Sequence, residues 1–495
     1  MLLSVAAVVV TLLSVGTTSV ASHPELPWSD PFYADWMGHF FPMIEHASIL
    51  ELSLPGTHDT MTWDLSTIIA DNANDLPDAI AWILHEFGPV INIFDIGAFV
   101  RNQAKTHGLN ITQQLESGIR FLDFRVDYTA PPGVPSTKYD KYDWFCMHML
   151  ETNQRAIVYL RCIREFLDRH PSEIVVIWIS HHGDNCGTNY EVPPSVMHPF
   201  WKQIEELFAG LMFDTRIAPL NETTVGELRA RGQRVVFYTA NHFNFTQNSP
   251  FAMSDCLIDN DGVGSADPQT GLKRAIRAWN RAEKHIAQDK RINNFYLQSM
   301  AGSDPRENIL IKAELTFAGW LMNASHKRAL LEKCARPFSI PGATTLCPMH
   351  LQDNSQRANY YHQLSFEWVA NRSVEALQRV ARGEAPRAPS ARFSNAIYID
   401  AVDVNGTLRT GTDLFSPNST DGGAQTRGNA KYSYVGTIML SNLALVCTGA
   451  VGKQRPSTEL CGLWLNALVR LRGESPLRRW HDLSTGRLAN WPSLP

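Results

Sequence analysis

An α/β fold built on parallel strands is predicted by three observations. Short apolar runs alternate with amphipathic helical stretches through much of the chain, the pattern of strands joined by helical crossovers. Two of those runs, EIVVIWISHH and QRVVFYTA, show no polar alternation, as strands covered on both faces do. About seven or eight such runs occur. A closed βα barrel with helices on its outer face is the economical way to bury them, and a doubly wound open sheet is the runner-up.

The elements follow in order. ASILELSLPG (47–56) reads as the first strand. A long mixed stretch runs from Met61 to Lys105 and holds the very apolar AIAWILHEFGPVINIFDIGAFV. NITQQLESG is a short helix ending at Gly118, IRFLDFRVD the next strand and DWFCMHML the third. NQRAIVYLRCIREFLDRHP is a strongly amphipathic helix closed by Pro171, and the buried strand EIVVIWISHH follows. HPFWKQIEELFAGL and TTVGELRARG are helices, and QRVVFYTA is a further buried strand. A helix, GLKRAIRAWNRAEKHIAQD, precedes the strand NNFYLQSM. Two more helical stretches, ILIKAELTFAGWLMNASHKRALLEKC and LSFEWVANRSVEALQRVARG, precede the late strand NAIYIDAVD. This gives a barrel over 35–405, then a long polar loop (406–429) and a helical segment reaching residue 495 that packs on the barrel or forms a small appendage. No internal repeat is present.

Composition bounds the function. With 44% hydrophobic and 19% charged residues the 495-residue chain can build a large core and is not disordered. With a net charge of −5 and no long basic run, nothing suggests a nucleic-acid partner, and none is expected. The weak acidity also argues against strong attraction to an anionic membrane. The first 21 residues, MLLSVAAVVVTLLSVGTTSVA, read as a signal peptide with Ser19 and Ala21 before the cleavage point. Their apolar run, Leu2 to Val15, is shorter than the ~20 residues a span needs. Seven Asn-x-Ser/Thr sequons, at Asn110, Asn221, Asn244, Asn323, Asn371, Asn405 and Asn418, agree with a secreted glycoprotein. So do eight cysteines, an even number that suggests disulfides. The pairs closest in sequence, Cys334–Cys347 and Cys447–Cys461, are favoured. No CxxC occurs, which argues against a zinc or redox site.

Three polar residues stand at the ends of apolar runs: His58 in LSLPGTHDT, Arg125 in GIRFLDFRVD and His148 in WFCMHML. Each run is expected to place its polar residue at the C-terminal end of a buried strand. Two imidazoles supply a general base and a general acid. A guanidinium, always charged and fork-shaped, holds a phosphate between them. That set suffices to cleave a phosphodiester without a metal. Asp123 lies two residues before Arg125, on the same strand face, and is expected to buttress it.

In these residues the chain resembles the phosphatidylinositol-specific phospholipase C X-domain family. The resemblance rests on LPGTHDT, ITQQLESGIRFLDFRVD, the strand carrying His148, the helix–HPSEIVVIW unit, TVGELRARGQRVVFYTA and NAIYIDAVD, in that order over roughly residues 45–405. It implies a distorted TIM barrel, with extra helices and loops, whose site lies at the C-terminal ends of the strands. It implies His58 as general base on the attacking hydroxyl, the inositol 2-hydroxyl for a phosphoinositide. It implies His148 as general acid on the leaving diacylglycerol oxygen, and Arg125 as the phosphate-binding arginine of the metal-independent members. Asp59 and Asp400 match carboxylates that orient the histidines, Asp403 being the alternative to Asp400. Calcium-dependent members carry acidic residues at both positions of the Asp123-x-Arg125 pair and an Asn after the first histidine. Arg125 and Asp59 stand in those places here, so no cofactor, calcium included, is expected. Met149 replaces the family's usual Gly after the second histidine.

His181 and His182 end the EIVVIWISHH strand, where bacterial members carry a basic substrate-contacting residue. They are placed to touch substrate, to bind a metal with Asp184, or to end a strand in solvent. The apolar stretch 79–100 either dips into a lipid surface or packs on the barrel. The expected partner is a phospholipid at a membrane surface, met by a monomer. Two other functions compete. One is a metal-dependent phosphodiesterase acting on glycerophosphodiesters or sphingolipids, which needs an acidic ligand pair that DFR does not supply. The other is an inactive secreted lipid- or glycan-binding glycoprotein.

Overall fold

A computed structural model describes residues 31–69, 101, 104–129, 142–148, 150–181, 194–239, 249–254, 257–260, 273–274, 276–277, 294–299, 373, 376–377, 379–380, 382, 396–399, 434–449, 452, 454 and 456–470. The first 21 residues, the stretch 79–100, Cys334, Cys347, His182, Asp184, Asp400 and Asp403 lie outside them.

Among the described residues eleven strands form one sheet: β1 (Leu54–Thr57), β2 (Leu65–Ile69), β3 (Phe121–Thr129), β4 (Asp143–His148), β5 (Leu150–Arg155), β6 (Val175–His181), β7 (Val235–Thr239), β8 (Ala252–Ser254), β9 (Leu257–Asn260), β10 (Phe295–Ser299) and β11 (Ala396–Ile399). Parallel pairing runs β1-β3-β6-β7-β8 in one direction and β1-β11-β10-β9 in the other. The last strand in sequence therefore lies against the first, and β8 and β9 are consecutive along the chain. This is barrel order, distorted where no pairing joins β8 to β9 among the described residues. The interior agrees. Phe121 on β3 stacks on Phe295 of β10 at 5.5 Å between centroids, and Phe295 meets Tyr238 of β7 at 5.1 Å. These strands are not sheet neighbours, so their rings meet across the inside of a curled sheet. Each such ring contributes about 1.5–3 kcal/mol through burial.

Local chemistry shifts two of the expected strands. ASILELSLPG does not extend from residue 47, because Ile49–Glu51 makes a 3-10 turn. Ser48 and Glu51 cap that turn reciprocally, with the Ser48 N–H donated to Glu51 at 2.9 Å, and this cap outweighs the β preference of the Ile-Leu pair. DWFCMHML is a strand but not a barrel strand. β4 runs antiparallel to β3, and β5 and β2 extend the same antiparallel flap. The intervening APPGVPSTKYDK holds three prolines and no helical pattern, so it offers no helical crossover to a parallel neighbour.

Helices cover the barrel. α1 (Pro31–Ala34), α2 (Trp36–His39) and α3 (Phe41–Ile44) precede β1, α4 (Ile111–Glu116) leads into β3, and α5 (Ala156–Arg169) leads into β6. α6 (Pro194–Leu207) and α7 (Val225–Ala230) lie between β6 and β7. α4 begins on an Asn110–Gln113 capping box and ends through Gly118, whose φ of +100° suits glycine. α5 buries Tyr159, Leu160, Ile163, Phe166 and Leu167, the apolar stripe of its sequence. The base of the barrel holds a buried ion pair. Arg120, one residue ahead of β3, gives two hydrogen bonds to Glu173 Oε2 at 2.8 and 2.6 Å, and its other N–H groups go to the carbonyls of Leu115, Ile119, Tyr33 and Ala34. Glu173 also accepts from the N–H groups of Met37 and Gly38 in α2. Burial lowers the pKa of Arg120, against the attraction of Glu173.

Two C-terminal helices, α8 (Tyr434–Cys447) and α9 (Thr458–Arg470), pack on the same body. Asn442 of α8 accepts from Ser53 N–H at 2.8 Å and donates to Ser53 O at 2.9 Å, clasping the residue before β1. A disulfide, Cys447–Cys461, joins α8 to α9, one of the two pairs favoured by spacing. Cys146 and Cys162 are thiols whose pKa burial pushes up. No helix among the described residues is long and apolar enough to cross a membrane.

Candidate active site

The site is assembled where β1 ends beside the first half of β3. Thr57 is in register with Leu122, so the next residues, His58 and Asp59, come level with Asp123. Asp59 has φ +49°, a left-handed conformation that a non-glycine residue holds with help from its surroundings. Asp123 provides some of that help. Its Oδ2 accepts the Asp59 N–H and its main-chain oxygen the Thr60 N–H, both at 3.0 Å. Asp123 and Arg125 share a face of β3 with Phe121. Phe121 fills the interior, so the two charged residues stand above it at the mouth.

β4 delivers His148 by a route that its sequence does not announce. Cys146 pairs with Val126 in antiparallel register, so two residues later the chain has come back toward Phe124 and Arg125. His148 descends to the site instead of emerging at the top of a barrel strand.

Arg125 is the hub. Its Nη2 lies 2.9 Å from Asp123 Oδ2 and 2.9 Å from His58 Nε2, and its Nε lies 2.9 Å from Asp59 Oδ1. Asp59 sits between the imidazoles: His58 Nδ1 is 3.3 Å and His148 Nε2 3.5 Å from its Oδ2. Both carboxylates are fully buried, while His58 and Arg125 keep 18% of their side-chain surface exposed and His148 keeps 13%. The groups that could react reach solvent, and the charges that orient them do not.

Hydrogen-bond partners assign the ring protons. A guanidinium only donates, so His58 Nε2 accepts from Arg125 and the His58 proton sits on Nδ1, toward Asp59. His148 Nδ1 lies 2.8 Å from the carbonyl oxygen of Ala104. A carbonyl only accepts, so His148 Nδ1 carries a proton. The two imidazoles thus lie on opposite sides of one carboxylate with opposite outer partners, a guanidinium donor for His58 and a carbonyl acceptor for His148.

His58, Asp59 and Asp123 also offer one ligand atom each within 4.8 Å of one another, a spacing that a metal ion can bridge. Arg125 stands within ion-pairing distance of both carboxylates and bonds the imidazole, so its charge opposes a second cation there. Among the other expected residues, His181 ends β6 in register with Val126. Its side chain, like all of Asp400, lies outside the described residues. Thr106 and His107 were missed. Both hydrogen-bond the main-chain oxygen of His58, at 3.1 and 2.6 Å. Their one signal in sequence is a Thr-His pair shortly ahead of the capping box of α4.

No family model matches the chain. Among curated proteins it is similar to PI-PLC X domain-containing protein 1 of Mus musculus, 30% identical over 226 residues that cover 46% of this chain and 58% of that protein. The Homo sapiens protein of the same name is 26% identical over 203 residues, covering 41% and 55%. The chain thus spans little more than half the length of these relatives. Among solved structures, phosphatidylinositol-specific phospholipase C from Listeria monocytogenes is 18% identical, covering 58% of this chain and 88% of that one, at a TM-score of 0.36. The enzyme of the same name from S. aureus is 12% identical, covering 83% and 97%, at 0.42.

Proposed function

We propose that this chain, a relative of the PI-PLC X domain-containing proteins, is a secreted phosphoric diester hydrolase of the phospholipase C type. The observation that carries the reading is the pair of imidazoles on either side of Asp59, His58 Nδ1 at 3.3 Å and His148 Nε2 at 3.5 Å from its Oδ2, with the Arg125 guanidinium bonded to His58 and all three side chains partly exposed. The substrate class is an inositol-containing phospholipid or a GPI-like lipid. The signal-like N-terminus, the sequons and the Cys447–Cys461 bridge support secretion.

A phosphodiester seated on Arg125 replaces the guanidinium–imidazole bond, and His58 Nε2 then receives the proton of the attacking hydroxyl. That oxygen bonds to phosphorus as the phosphorus–oxygen bond to diacylglycerol breaks. His148 Nε2 supplies the proton that the leaving oxygen takes. The product is a cyclic phosphate with His58 protonated and His148 neutral. Water reopens the ring with the roles exchanged. Arg125 stabilises charge on the non-bridging oxygens throughout, and no metal is needed.

The second reading, a metal-dependent phosphodiesterase, is favoured by the ligand spacing of His58, Asp59 and Asp123. Hydrolysis of phosphatidylinositol vesicles by the secreted protein, with and without EDTA, separates the two. The expected result is chelator-insensitive release of inositol cyclic phosphate, abolished in His58→Ala and His148→Ala. Loss with EDTA would support the metal reading. No turnover under any condition would support a binding glycoprotein.

A further inference from the structure

The segment Ala104–His107 touches the main chain of one site histidine and the ring of the other. Ala104 O accepts from His148 Nδ1 at 2.8 Å. Thr106 Oγ donates to His58 O at 3.1 Å, and His107 Nε2 lies 2.6 Å from the same oxygen. That oxygen can only accept, so His107 donates to it through Nε2. Thr106 is fixed in turn by Thr62, whose Oγ accepts the Thr106 N–H at 3.0 Å. His107 is 1% exposed, too buried to meet substrate.

The His58–Asp59 peptide is therefore gripped at both ends. Its carbonyl is held by His107 and Thr106, and its N–H by Asp123 Oδ2. Rotation of this peptide is what would release Asp59 from φ +49°. Such a rotation would swing the Asp59 carboxylate away from both imidazoles and from Arg125. A left-handed non-glycine residue persists only where its surroundings over-determine it, and His107 provides the shortest of the bonds that do so.

We propose that His107 is a positioning residue for the hydrolysis proposed above: it locks the His58–Asp59 peptide and through it the carboxylate shared by the two histidines. This rests on that reading for its kinetic test, though not for its structural one. Gln has the same number of bonds from Cα to its amide nitrogen as His has to Nε2, so His107→Gln can make the same donation. Asn is one bond short and cannot.

The test uses the full-length protein with phosphatidylinositol vesicles, and crystal structures of the same variants. His107→Ala and His107→Asn should lose roughly 10²-fold in kcat with little change in KM, the scale of a misplacement of about 1 Å. His107→Gln should stay within a few-fold of wild type. In the crystals, Asp59 should leave the left-handed region in the Ala and Asn variants and keep it in the Gln variant. Wild-type kcat in His107→Asn, or an unmoved Asp59 in both shortened variants, would overturn the proposal. If the wild-type chain turns over no lipid, the function proposed above fails, and the orientation of the Asp59 peptide still decides the role of His107. Should His107→Ala not fold, the Gln–Asn pair carries the comparison.

Discussion

Arg120 and Arg125 lie five residues apart on one stretch of chain and serve opposite ends of the part of β3 that pairs with β6. At the base every Arg120 N–H has a partner inside the protein, its side chain has no exposure, and its counter-ion Glu173 also caps the start of α2. At the mouth Arg125 has two carboxylates, yet its side chain keeps 18% exposure and one N–H is spent on an imidazole that a substrate can displace. The same guanidinium is a fastener where its donors are consumed by carbonyls and a site residue where they are shared with a titratable group. Ion pairing alone does not distinguish the two. What distinguishes them is whether the geometry leaves something for a ligand to replace.

Substitutions at the two ends should separate stability from turnover. The largest effect is expected at the base. Arg120→Met leaves Glu173 buried without its partner, a loss of about 3–5 kcal/mol. It should lower the urea midpoint sharply while the activity per folded molecule stays unchanged. At the mouth, Arg125→Ala should lower kcat by roughly 10²–10³-fold, as for removal of a preorganised charge, and it should also lower the urea midpoint, because it takes the guanidinium from the buried Asp59 and Asp123 carboxylates. Arg125→Lys should fall between them, because a point charge cannot span Asp59 and Asp123 together. The smallest effect is expected for Asn442→Ala, which removes the two bonds that clasp Ser53, at a cost of about 1–3 kcal/mol. It should appear in the urea midpoint and not in kcat. An Arg120 variant that is stable but inactive would break the division between the two ends.

Much of this division was legible in the sequence, and the parts that were not share a cause. The strands β6 and β7 announce themselves as unbroken apolar runs, and the Asp123-x-Arg125 spacing alone puts both residues on one face of β3. His58 and Arg125 do meet. His148 meets them too, but by an antiparallel return, since periodicity records which residues are buried and not which way the strand runs. Arg120 looked like any polar residue entering a strand, because its partner Glu173 lies 53 positions away. His107 was hidden for the same reason: it bonds a main-chain oxygen 49 residues back, and no side-chain pattern encodes a carbonyl. ASILEL misled because a capping box was embedded in a β-like run.

The central claim is the division of labour between His58 and His148, and a substrate that needs no acid tests it most directly. Replacing the diacylglycerol leaving group of the inositol phosphodiester by a nitrophenolate removes the need to protonate the leaving oxygen while leaving the attacking hydroxyl in place. The account predicts that His148→Ala recovers most of its lost kcat on that substrate and that His58→Ala recovers none. Equal loss in both variants, or recovery in His58→Ala instead, would contradict it.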